Sequence, residues 1–407
     1  MFEMAHIPKP RQTLPWLIVV GVGIVYMWHF NNLNNDFQVF YKAGIDFRDG
    51  VNPWDSQLDP NAMYLNGSST LFLFAILSFF PLEWAIFFIR ALSLIAVVIS
   101  VNYARNSLQK IPKPQLIIFL FLSFPLRAAM EYGQLTVIFG AIALYILIYV
   151  QKRSTDSILV ILSISVILDF KPHIFIGIVV YLLLTKRIRL LVKAFLVWLI
   201  FQLVVGLYLQ IFPFVEMLKA IKFRSETVTE GEDSFSIVSF LSLDSQWSMV
   251  ITASSILVFC IYSFVIKRKP ASKLLPLIAF SMLITPLLHP TDLMLLLFVF
   301  MVKFQITHIS SFLLGMFFVW SPQLSGAGFT LLVLLMTVGL LILFKHQVSV
   351  SKMAMIFIPN FIYLSLVGVG FDEVNVRHSI HLLISILIGV YFSLSTSKID
   401  SDGKKSG

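Results

Sequence analysis

Residues able to take protons or hold charge are scarce in this chain, and they gather at the ends of apolar runs. Asp36 opens the stretch Asp36-Phe37-Gln38-Val39-Phe40-Tyr41. Arg127, Glu131, Tyr132 and Gln134 form a second group, and Asp169, Lys171 and His173 a third. His289, Thr291 and Asp292 follow, then Asp372, Glu373, Arg377 and His378. A carboxylate within hydrogen-bond reach of a hydroxyl can act as a general base. Cations and N–H donors set in place beforehand can stabilise charge growing on a leaving group. Plainer roles stand beside these. Asp36, after Asn34 and Asn35, suits a helix N-cap. Lys171, between Asp169 and Pro172, suits a Lys–Asp pair or a snorkelling side chain. His289 suits a helix-end histidine, and Gln134 a helix–helix hydrogen bond. Arg127 and Glu131 stand one helical turn apart, the spacing of an ion pair. Arg377 and His378 suit anchoring at a membrane interface.

The elements that must position these groups follow from composition. The chain has 407 residues, 58% hydrophobic and only 13% charged, and a mean hydropathy of +0.89. Soluble domains carry about 25% charged residues, and one this apolar would expose large greasy patches. The reading is an all-α polytopic membrane protein, which excludes most soluble enzymes and DNA-binding proteins. Apolar runs place spans near 14–31, 82–104, 114–127, 134–151, 156–169, 173–185 and 190–212. Further spans fall near 248–266, 274–288, 290–303, 309–324, 328–344, 353–371 and 377–395. Several are short of the roughly 20 residues a crossing needs, so about 12 to 14 crossings are expected. Residues 70–80 form an extra apolar piece before Pro81, fit for a half-helix or an interfacial helix. The first run lacks a small-residue cleavage site and reads as an uncleaved signal anchor. The single cysteine, Cys260, rules out a disulfide framework.

Charge assigns sides. Most of the 30 Lys and Arg fall in alternate connections, such as Lys152-Arg153, Lys186-Arg187 and Lys267-Arg268-Lys269. The positive-inside rule makes that side cytoplasmic and puts both termini there. The net charge of +9 is thus a matter of topology and points to no nucleic-acid partner. Most of the 21 Asp and Glu fall on the other side, together with every polar cluster above. One membrane domain is expected over 1–395, with outer loops at 31–69 and 213–247 and a disordered cytoplasmic tail at 396–407. The mixed charges of 213–247 read as a solvated, mobile loop. In the first loop Phe37, Phe40, Tyr41, Gly44 and Phe47 recur at helical spacing. Gly50 then stops the helix, and Asn52-Pro53-Trp54 makes a turn.

This loop, Asp-Phe-x-x-Phe-Tyr-x-Ala-Gly-x-x-Phe-x-x-Gly-x-Asn-Pro-Trp, resembles that of the membrane-embedded GT-C glycosyltransferases, and within them glycosyltransferase family 87. Gly133-Gln134-x-Thr136 resembles that family's Gly-Gln-x-Asn element, with Thr136 in place of Asn. Lys171-Pro172, ahead of a span ending Thr185-Lys186-Arg187, resembles its Lys-Pro element. Thr285-Pro286-Leu287-Leu288-His289 is a looser match to Ser-Pro-x-x-x-His. The likeness covers roughly the first 300 residues.

The resemblance implies a GT-C-type bundle with an amphipathic helix in its first outer loop. It implies transfer of a hexose, with mannose the family's best-known donor sugar, from a polyprenyl-phosphate to a glycolipid or glycan hydroxyl. Transfer would invert the anomeric carbon on the extracytoplasmic face of the inner membrane. Asp36 holds the position of the general base. Lys171 and His289 are candidates for the donor phosphate, and Tyr41, Trp54, Glu131 and Gln134 for substrate contacts. No cofactor is implied and no metal ion is called for. The implied partners are the lipid-linked donor, the acceptor and membrane lipids. A transporter, flippase or ligase of lipid-linked saccharides is the other class open to such a chain. A transporter should show repeated halves, and no second half repeats the loop after the first span.

Overall fold

The computed structural model describes residues 35–55, 63–108, 124–153, 155–227 and 290–295, with residues 21, 278, 298 and 299 in isolation. Among them there are helices and no strand. In chain order they are α1 (Asn35–Arg48), α2 (Ser68–Leu77), α3 (Leu82–Leu108), α4 (Phe124–Tyr132) and α5 (Thr136–Lys152). Then come α6 (Ile158–Phe170), α7 (Pro172–Leu184), α8 (Ile188–Leu209), α9 (Pro213–Thr227) and a 3-10 turn, Pro290–Leu293. The spans expected at 14–31 and from 248 onward lie outside the described residues, apart from residues 21 and 278 and the few around 290–299; most of the span expected at 114–127 and the 396–407 tail lie outside as well.

Two helices, Leu82–Ala104 and Ile188–Leu209, are long and apolar enough to cross a membrane. Their exposure decides what they are. Trp84, Phe88, Leu92, Ile95 and Ile99 on α3 are exposed, as are Val192, Phe195, Ile200, Leu203 and Leu207 on α8. The core helix of a soluble protein hides such a stripe. In water this surface would be a large apolar patch, whereas in a bilayer it faces lipid. The chain is a helical membrane protein. The shorter apolar helices α5, α6 and α7 fall where the spans 134–151, 156–169 and 173–185 are expected.

The first-loop helix forms as its spacing predicts. Phe37, Phe40, Ala43 and Phe47 are buried while Gln38 and Lys42 are exposed. The buried face packs on α2, which is the extra apolar piece before Pro81. Phe40 stacks on Phe74 at 5.2 Å between ring centroids, and Phe37 meets Phe74 edge-on at 6.2 Å. Gly44 makes this approach possible, since a Cβ there would run into the Phe74 carbonyl.

Residues 213–227, the first part of the expected second outer loop, form α9, and 228–247 lie outside the described residues. Pro213 leads the helix, where its missing N–H costs nothing. Glu216 in the first turn complements the helix dipole.

Helices α5 to α8 alternate in direction, which sorts their ends. At one end the basic turns meet: Lys193 Nζ donates to Asp156 Oδ2 at 2.6 Å, and Arg187 Nη2 donates to the Val150 carbonyl at 3.1 Å. At the other end lie the starts of α5 and α7 and the end of α6. There Asp169 is buried, and four donors fill its carboxylate. Trp198 Nε1 and Gln202 Nε2 donate to Oδ1 at 2.8 and 2.7 Å. The Ser68 hydroxyl, at 3.3 Å, and the Ser69 backbone N–H donate to Oδ2. Gly67, the residue before α2, offers that helix no side-chain cap. Asp169 supplies the missing acceptor from α6 and so pins α2 to the end of α6 and the middle of α8.

Candidate functional site

The polar end of the bundle carries the candidate site, and its centre is the turn between α4 and α5. Helix α4 stops because Gly133 takes a left-handed conformation, φ +62°. The Gln134 N–H then reaches back to the Ala129 carbonyl at 2.9 Å, the closing bond of a Schellman turn. A Cβ on Gly133 would come within 3.0 Å of Phe37. Glycine is therefore needed twice, for the backbone angle and for the approach of α1.

This turn delivers Gln134 to Asp36. Gln134 Nε2 donates to Asp36 Oδ2 at 2.6 Å. Since an ionised carboxylate only accepts, the amide nitrogen must face it. Gln134 is only 6% exposed, while Asp36 is exposed. Asp36 lies in the first turn of α1 rather than ahead of it, so the simple N-cap reading gives way to a carboxylate held from across the site. One face of the carboxylate is fixed and the rest is open, the condition a base needs to meet a hydroxyl.

A second group converges from the turn between α6 and α7. Pro172 takes the first position of α7, leaving Lys171 between the two helices. Lys171 Nζ donates to Asp292 Oδ1 at 2.8 Å, and the lysine side chain is 13% exposed. The pairing expected with Asp169 does not form, because the donors from α2 and α8 already saturate that carboxylate. The 3-10 turn that carries Asp292 packs against α4 and α5, the two helices that flank the Gln134 turn. His289, immediately before that turn, lies outside the described residues.

The remaining candidates are placed as follows. The Tyr41 hydroxyl donates to the Phe80 carbonyl at 2.6 Å and ties α1 to the α2–α3 turn. Trp54 is 1% exposed and its Nε1 donates to the Asn66 carbonyl at 3.0 Å, so it belongs to the packed interior of the first loop. Glu131 is partly buried at the end of α4, and its charge acts on Arg90. Buried Gln134 Oε1, Thr136 Oγ1 and Thr291 Oγ1 have no hydrogen-bond partner among the described residues. Among the described residues no group of three His, Cys, Asp or Glu could hold a metal ion.

Arg90 is the residue that sequence reasoning passed over. It sits inside the apolar run of α3, 4% exposed. Its Nε donates to the Met130 carbonyl at 2.8 Å and its Nη2 to the Glu131 carbonyl at 3.3 Å. An arginine within a membrane span is a functional signal in its own right, and that signal was available in the sequence.

Fold and site together define a helical membrane protein with a polar site at one end of its bundle, built around an exposed carboxylate. The family model of glycosyltransferase family 87 matches residues 64–290, more than half of the chain, and the chain belongs to that family. It is thereby a glycosyltransferase, acting on a sugar donor and an acceptor. The matched stretch contains Gln134, Lys171 and His289; Asp36 lies ahead of it and joins it through Gln134. No curated protein matches the chain. No solved structure matches it either.

Proposed function

We propose that the protein moves a hexose, mannose before others, from a polyprenyl-phosphate to a hydroxyl of a glycolipid or glycan, with Asp36 as general base. The hydroxyl oxygen bonds to the anomeric carbon and the bond from that carbon to the phosphate oxygen breaks. The proton passes to Asp36, polyprenyl phosphate leaves, and the anomeric configuration inverts. The observation that carries the reading is the Gln134–Asp36 hydrogen bond, which seats an exposed carboxylate on the family-matched framework.

Other features support it. Lys171 lies at the same end of the bundle, and a phosphate arriving there would compete with Asp292 for its ammonium. Lys171 and His289, the latter outside the described residues, are the residues proposed for the donor phosphate. Gln134 Oε1 offers an acceptor to a sugar hydroxyl, and Glu131 stands one turn before it in sequence. Tyr41 and Trp54 act through the first loop, which they hold in place. The basic turns gather at the opposite end, which favours an inner-membrane protein with both termini inside and its site facing outward. Membership of a glycosyltransferase family favours this reading over a transporter.

The test is donor choice by the purified protein in lipid. Polyprenyl-phosphate mannose and a nucleotide-linked mannose are offered in parallel, with a panel of glycolipid acceptors. Product is expected from the lipid-phosphate donor alone. Transfer from the nucleotide sugar would remove the reading.

A further inference from the structure

Among the described residues, the buried guanidinium of Arg90 has no part in the proton transfer proposed above. We infer that Arg90 is a positioning residue: its guanidinium holds the end of α4 and, through the Gly133 turn, sets where Gln134 places the Asp36 carboxylate. The inference rests on Asp36 being the base.

The links run from hydrogen bond to hydrogen bond through one turn of backbone. Arg90 Nε and Nη2 reach the carbonyls of Met130 and Glu131, in the last turn of α4. These carbonyls lack helical partners and carry the negative end of the helix dipole. Gly133 turns the chain next, and the Gln134 N–H closes on Ala129 O at 2.9 Å. Gln134 Nε2 then meets Asp36 Oδ2 at 2.6 Å. The planar fork of arginine can span two successive carbonyls, which a lysine cannot do as well. A charge is costly within a membrane span unless it is hydrogen-bonded. Here the bonds go to the last turn before the catalytic turn and not to the middle of a helix. Without the guanidinium the last turn of α4 loses its outside partner, and Gln134 loses its fixed origin.

The experiment uses the full-length protein in lipid nanodiscs, with Arg90→Met, Arg90→Lys and Asp36→Asn beside the wild type. Two quantities are read: steady-state transfer from polyprenyl-phosphate mannose, and hydrogen exchange of backbone amides. For Arg90→Met, kcat should fall about 10- to 100-fold while the donor KM stays within about twofold, the mark of lost alignment and not of lost binding. Arg90→Lys, which keeps the charge and one donor but not the fork, should recover only part of the rate. Exchange in Arg90→Met should rise over residues 129–136 and stay unchanged along α3 and α5. A wild-type kcat in Arg90→Met would overturn the inference. So would exchange that rises throughout α3 and α5 with no recovery in Arg90→Lys, since that is general loosening. If the wild type transfers nothing, or Asp36→Asn keeps its turnover, the transferase reading fails separately. The exchange at 129–136 still decides whether Arg90 holds the turn.

Discussion

Two aspartates at the same end of the bundle show how surroundings divide labour between identical side chains. Asp169 is buried, and four donors from α2 and α8 occupy both of its oxygens. Asp36 is exposed and receives Gln134 on one oxygen. A saturated carboxylate has no lone pair left for a substrate hydroxyl and serves as a joint between helices. A carboxylate fixed at one point and open elsewhere can take a proton. In sequence the two are equally plausible acids at the ends of apolar runs. What separates them is the number of donors the fold sends to each.

The largest expected effect is on the joint. Asp169→Leu takes the acceptor from Trp198, Ser68 and Ser69 and leaves Gln202 only the Ser68 hydroxyl, at about 1–3 kcal/mol for each buried donor left unpaired. Size-exclusion chromatography after detergent extraction should show little folded protein, and a wild-type profile would break the contrast. Gln134→Leu should act on chemistry instead. Transfer should fall on the order of 100-fold through misplacement of the proposed base, with the melting temperature close to wild type; a large melting shift would place Gln134 with Asp169 as a structural group. Gly133→Ala should touch both properties. A left-handed backbone and contact with Phe37 together cost about 1–3 kcal/mol, visible as a lower melting temperature with a parallel loss of rate.

The smallest effect is at Asp46, near the other end of α1 from Asp36. Burial, only partly offset by Lys42, pushes its carboxyl above the ordinary value of 3.8. A carboxyl with a raised folded pKa favours the folded state only when protonated, so its contribution is lost as pH rises through 3.8 and above. Asp46→Asn should therefore raise the melting temperature slightly at neutral pH and leave it unchanged near pH 3. A gain confined to the acid side would reverse the sign and refute the assignment.

Much of the frame was legible in the sequence because hydrophobic period and Pro/Gly punctuation are local signals. The α1 face, the apolar helices α5 to α8 and the Lys171-Pro172 break all follow from neighbours along the chain. The choice of partners was not. Lys171 pairs with Asp292, far along the chain, because the nearby Asp169 is already filled. Gln134 and Asp36 were both candidates, yet nothing local says that they touch. Trp54 could be marked as an aromatic in a turn but not as a buried one. The helix at 213–227 was not legible, because mixed charge suits an irregular loop and a helix equally.

The most direct test sets Asp36→Asn beside Asp169→Asn in the same lipid preparation, reading transfer from polyprenyl-phosphate mannose and thermal stability together. The account predicts that Asp36→Asn keeps its melting temperature and loses about 100- to 10,000-fold in rate, the usual share of a general base. Asp169→Asn should melt markedly lower and retain turnover in whatever fraction stays folded. Full activity in Asp36→Asn would contradict the account.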